Sequence, residues 1–150
     1  MNWTLKSFDE LTVSEFHDII QLRLEIFVVE QDCPYQDLDG KDKVALHLFG
    51  ATTEGKIIAY TRLFGPGDYY KEAAIGRVVV HKDYRKDGIG FELMKRSIKQ
   101  VESHCRTNII KIGAQQYLRK FYESLGFVST GDFYMEDGIP HMYMIKNIDN

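Results

Sequence analysis

The stretch AAIGRVVVHKDYRKDGIGFELMKRSIKQVESH, Ala73 to His104, decides how this chain folds. It opens as an apolar run ending in Val78-Val79-Val80, which reads as a central strand. The turn Arg85-Lys86-Asp87-Gly88-Ile89-Gly90 follows, and beyond it Leu93, Met94, Ile98 and Val101 mark one face of a helix running to about His104. Asn108 to Ala114 then supplies another strand. Strand, glycine turn, helix and strand in that order make a right-handed βαβ crossover.

The turn sits where the first N–H groups of the helix have no intrahelical partner, so these groups can converge on phosphate oxygens. Gly88 and Gly90 let the backbone approach a diphosphate without a Cβ in the way, and Arg85 and Lys86 add charge-assisted donors. A P-loop is excluded because GxxxxGK[ST] is absent. A dinucleotide fold is disfavoured because GxGxxG is missing and there is only one crossover. The diphosphate of coenzyme A is the natural ligand that remains.

Upstream, Thr12-Val13-Ser14-Glu15 is a capping box, with Leu11 and Phe16 placed for a hydrophobic staple. Phe16, Ile19, Ile20, Leu24 and Phe27 recur at helical spacing, but Arg23 falls on the same stripe and wants a partner or a cavity. After an irregular stretch holding Cys33-Pro34 and Asp39-Gly40, Val44 to Thr52 and Ile57 to Phe64 read as a hairpin turning at Thr53-Glu54-Gly55-Lys56. Downstream, Tyr117 to Ser124 reads as a short helix capped by Gly126, and two strands follow from Phe127, the second covering His141 to Ile148.

Composition narrows the class. At 150 residues, 44% of them hydrophobic, the chain is sized for one domain spanning 1–150 and buries a core without staples. A formal charge of −3 with interspersed signs gives no general attraction to nucleic acid or to an anionic membrane surface. Two cysteines, Cys33 and Cys105, without a CxxC pair argue against a disulfide framework or a structural zinc, and no metal is expected. No apolar run approaches a membrane span and none opens the chain, so a soluble, unexported, cytoplasmic protein is expected. Pairing into a homodimer is left open.

Val78-Val79-Val80, then Arg85-x-x-Gly88-x-Gly90, then Phe121-Tyr122-x-x-x-Gly126-Phe127 together resemble the GNAT superfamily of N-acetyltransferases. Phe27-Val28-Val29-Glu30-Gln31, Cys33-Pro34-Tyr35-Gln36, Gly113-Ala114-Gln115 and Asp137-Gly138-Ile139-Pro140-His141 are similar to its ElaA-like subfamily. The resemblance implies an α/β domain with a mixed, mostly antiparallel sheet, flanked by helices and split at a splayed parallel pair. Its implied activity is acetyl transfer from acetyl-CoA to a primary amine of a small molecule or peptide.

The same resemblance puts the pantetheine arm against Val78, Val79 and Val80, and the diphosphate on Arg85, Lys86, Asp87, Gly88, Ile89 and Gly90. Gln115 and Phe121 are further cofactor contacts, although many GNAT proteins have asparagine near Gln115. Tyr122 is the implied acid for the departing thiolate. An ammonium acceptor must also lose a proton, and the base stays unassigned because the Ala73 to Val80 strand carries no carboxylate. Glu30, His47, Asp137 and His141 are the candidates, and with Arg23 they are the expected acceptor contacts. Glu30 and His141 stand as catalytic candidates beside Tyr122. Two rivals remain: an acyl-homoserine-lactone-synthase-like transfer, and a CoA-binding sensor without turnover.

Overall fold

A computed structural model describes residues 1–148, and among them seven strands form one sheet with three α-helices packed on it. The strands are β1 (Asn2–Ser7), β2 (Leu46–Ala51), β3 (Ile57–Phe64), β4 (Ala73–Val80), β5 (Ile109–Gln115), β6 (Val128–Glu136) and β7 (Ile139–Asn147). The helices are α1 (Val13–Leu24), α2 (Ile89–His104) and α3 (Arg119–Glu123). The sheet order is β1-β2-β3-β4-β5-β7-β6, antiparallel throughout except for the parallel neighbours β4 and β5. The expected α/β class and mixed sheet are therefore observed.

Local chemistry explains the boundaries. Thr12 Oγ1 accepts from the Glu15 N–H at 3.0 Å while Glu15 Oε1 accepts from the Thr12 N–H at 2.9 Å, a reciprocal cap contributing about 1 kcal/mol. At the other end α1 widens into a π-type turn over Glu25–Glu30, in which Gln31 N–H reaches Ile26 O at 3.1 Å. The strand expected from Val44 begins at Leu46 because Lys41–Val44 closes into a 3-10 turn. The helix expected from Tyr117 is broken into a 3-10 turn, Gln116–Leu118, followed by α3. Gly126, at φ 92, ends that segment as expected.

The sheet is covered on both faces. Ile19 and Leu22 of α1, with Ile26 just beyond it, pack on Phe49, Ile57, Tyr60 and Val79. On the opposite face Met94, Ile98 and Val101 of α2 meet Ile75, Ile110, Ile112, Met142 and Met144, and Thr61 bonds Ser97 at 2.7 Å. Leu93 and Met94 are both 0% exposed, and each such burial stabilises by about 2 kcal/mol.

The parallel pair is barely a pair. Only Ala73 with Ile110 and Ala74 with Lys111 are in register, and from Ile75 onward β4 leaves β5. Between the register pairs Arg62–Gly76 and Tyr60–Val79, two residues of β4, Arg77 and Val78, stand opposite Thr61. Arg77 takes φ 51 there, a bulge position that glycine usually fills. Its guanidinium offsets the strain by donating to Asp37 Oδ1 at 2.8 Å and Asp37 O at 3.1 Å. The bulge bends β4, and the sheet opens between its two central strands.

Candidate active site

The opening is a cleft of about 680 Å³. Val78, Val79 and Val80 form one wall, while Ile112, Gly113 and Gln115 line the other. Pleating divides the valines: Val78 and Val80 face α2, and Val79 faces α1. The cleft thus passes through the sheet and joins its two sides.

On the α2 side it meets the glycine turn. Asp87 and Gly88 both have positive φ, 63° and 71°, and Gly88 is the N-cap of α2 without any side-chain cap. A Cβ built on Gly88 would meet nothing within 4 Å, so there is open space beside the uncapped start of the helix. Arg85 and Gly90 line the cleft, whereas Lys86, Asp87 and Gly88 are exposed on the outside of the turn and Ile89 packs beneath it. Arg85 is held ready: its Nε donates to Val80 O at 3.1 Å, and its guanidinium pairs with Glu30 at 2.8 Å.

Phe121 and Tyr122 line the same side. Tyr122 is 5% exposed, wedged edge-on between Phe121 and Phe127, and among the described residues its hydroxyl has no hydrogen-bond partner. Burial, with Tyr117 beside it, pushes its phenol above the usual tyrosine range. The group therefore stays protonated and presents an O–H to the cleft.

Through the sheet, on the α1 side, the lining is Tyr35, Gln36, Asp39, Tyr69, Glu136, Asp137 and His141. His141 Nδ1 lies 2.7 Å from Ile139 O; because a carbonyl only accepts, this nitrogen carries the proton in the neutral ring and leaves Nε2 as a bare acceptor. Glu136 Oε2 stands 3.5 Å from that Nε2, and Tyr134 stacks on the ring at 5.3 Å. Gln115 reaches Gln31 at 3.4 Å. Cys33 donates its S–H to Asp137 O at 3.4 Å, and burial followed by the Asp137 charge pushes its thiol pKa up, away from nucleophilic form.

Arg23 and His47 lie outside the cleft lining. Arg23, 0% exposed, gives Nε to Asp37 at 2.8 Å and a terminal nitrogen to Asp42 at 2.8 Å. Arg62 shares Asp42 and clasps Asp39 at 2.7 and 2.8 Å. Despite its partial burial, Asp39 is held well below the usual carboxylate range by Arg62 and the Lys41 N–H. His47 donates to Asp42 O at 2.9 Å and accepts from the Tyr60 hydroxyl at 2.6 Å, and burial lowers its pKa, so it stays neutral. This network pins the segment between α1 and β2 over the sheet. Asp37, Asp39, Asp42, Tyr35 and Arg77 were not singled out from sequence, yet arginines inside the apolar strands β3 and β4 are a legible signal that carboxylates must come to them.

Known proteins share this fold. The family described as acetyltransferase (GNAT) domain matches residues 10–148. Protein ElaA of Escherichia coli (strain K12) is 36% identical over 150 residues, 99% of this chain and 97% of that one. The crystal structure of an acyl-CoA N-acyltransferase from Pseudomonas aeruginosa superposes with a TM-score of 0.90 at 39% identity, covering 97% of this chain and 99% of that one. An aminoglycoside 6'-N-acetyltransferase complexed with coenzyme A shares the fold at a TM-score of 0.69 and 16% identity over 98% of each chain.

Proposed function

The chain belongs to the GNAT acetyltransferase family, and from that premise we propose that it moves an acetyl group directly from acetyl-CoA to a primary amine of a small molecule or peptide. The observation that carries this reading is the split sheet. β4 and β5 pair at two positions and then part, and the uncapped start of α2 brings Arg85 and Gly90 to the lining of the gap.

The residues fit the cofactor. The N–H groups of Gly88 to Gly90 and the guanidinium of Arg85 would hold the diphosphate. The edge of β4 from Ile75 to Val80, which has no β5 partner, would take the amide-bearing arm. The cofactor supplies the activated thioester.

The chain's own groups supply the proton transfers. His141 Nε2 accepts a proton from the acceptor's ammonium, and the freed amine nitrogen forms the new bond to the acetyl carbon as the carbon–sulfur bond breaks. Tyr122 donates its proton to the departing sulfur and recovers one from solvent. The nitrogen sheds its second proton to solvent on becoming an amide, and His141 releases there the one it took up. Unpaired β4 amides stabilise the oxygen on which charge builds. Glu30 is engaged by Arg85 and His47 is closed off in the ion network; of the two candidates left, Asp137 is exposed on the hairpin turn, and His141, its Nε2 free, is taken as the base.

Acetyl-CoA at about 100 times its Kd is expected to raise Tm by roughly 5 to 10 °C, whereas NAD and ATP should leave it unchanged. Thiol release from acetyl-CoA should then depend on an added primary amine. A cofactor-induced Tm rise without thiol release on any amine would instead favour a CoA sensor, and no Tm rise at all would remove the cofactor assignment.

A further inference from the structure

Six charged residues line the cleft, and four of them are already neutralised. Glu30 and Arg85 pair at 2.8 Å. Asp39 and Arg77 belong to the network in which Arg23, Arg62 and Arg77 balance Asp37, Asp39 and Asp42. Lys111, two residues before Gly113 on β5, keeps its ammonium over the Tyr143 ring at 4.4 Å and over Tyr70 at 5.1 Å. Glu136 and Asp137 remain as the uncompensated charge of the lining.

Both acidic groups sit at one tight turn. The β6–β7 hairpin turns at Asp137 and Gly138, with φ of 50° and 78°, the pattern of a tight two-residue turn between the paired Glu136 and Ile139. A second observation on the same spot concerns His141, whose side chain is 8% exposed and lines the cleft. Its Nε2 makes no hydrogen bond among the described residues, Nδ1 being committed to Ile139 O. An unpartnered acceptor nitrogen on a largely buried ring, 3.5 Å from Glu136 and in the same cleft lining as Asp137, calls for a ligand that gives protons and carries positive charge.

One ammonium does not satisfy this site throughout the reaction. The reacting amine must become neutral before it attacks, so its attraction to the carboxylates disappears as the barrier is climbed. A second ammonium stays charged, and its attraction survives into the transition state, where it raises the rate. The rings of Tyr35 and Tyr69 offer apolar surface for the carbon chain between the two nitrogens. We propose that the acceptor is an aliphatic diamine or longer polyamine, its reacting amine at His141 and its second ammonium held by Glu136 and Asp137. This rests on the amine-transfer reading above.

The test compares kcat/KM for putrescine, n-butylamine and γ-aminobutyrate with saturating acetyl-CoA. Putrescine should lead n-butylamine by about tenfold, γ-aminobutyrate should be slowest, and added salt should narrow the gap. Glu136→Gln combined with Asp137→Asn, which suits a positive φ, should shrink the putrescine to n-butylamine ratio to about twofold. The ratio is read within one preparation, so partial loss of folded protein does not disturb it; if the double variant does not fold, the salt series on the natural protein still decides. Equal or better use of n-butylamine or γ-aminobutyrate overturns the proposal. Transfer to none of the three, with the cofactor still bound, overturns the amine-transfer reading and the proposal with it.

Discussion

Tyr122→Phe is expected to lower the rate of thiol release about 100-fold while acetyl-CoA affinity stays within about twofold. The expectation follows from its surroundings. The ring is packed between Phe121 and Phe127 and fills the same volume as phenylalanine, so only the hydroxyl is lost. That hydroxyl has no partner among the described residues and takes part in no structural bond, so its removal should not unsettle the core. Burial holds the phenol protonated, the state an acid needs before each turnover. A variant turning over at the natural rate would remove Tyr122 from the mechanism, and one with equally weakened cofactor binding would recast it as a wall of the cleft.

The largest effect on stability is expected from Arg23→Met. Its guanidinium answers Asp37 and Asp42, both almost wholly buried, and removing one partner of such a group leaves uncompensated charge. Losses of this kind run to about 3 to 5 kcal/mol, which in a chain of this size lowers Tm by roughly 10 °C. Arg62 still reaches Asp42, and Arg77 still reaches Asp37, so the loss should stay below that of dismantling the whole network. A thermal melt reads the outcome. A drop of less than about 3 °C would mean that the segment between α1 and β2 is held by something other than these ions.

Arg23 also marks how far sequence carries. Its place on an apolar stripe announced that it needed a partner or a cavity, and both it and Glu30 were expected among the acceptor contacts. Glu30 instead pairs with Arg85, 55 positions along the chain, while Asp37 and Asp42 come from a segment with no periodicity to read. The βαβ crossover was legible because its periods change sharply at Gly88 and Gly90. The parting of β4 from β5 was not, since an apolar run reads alike in a closed sheet and a split one; it came from family resemblance. What opens the sheet is a bulge at Arg77, a residue that gives no sign of adopting φ 51. His141 could be suspected from its place behind an Asp-Gly turn. Its free Nε2 and the nearness of Glu136 depend on hairpin register, which spacing alone left open.

The central claim is that the uncapped start of α2 and the free edge of β4 receive the cofactor together. An amide NMR titration with acetyl-CoA tests it most directly. The largest shifts should fall on the N–H groups of Gly88 to Phe91 and of Ile75 to Val80. Binding that leaves both groups unmoved while amides elsewhere respond would contradict the account.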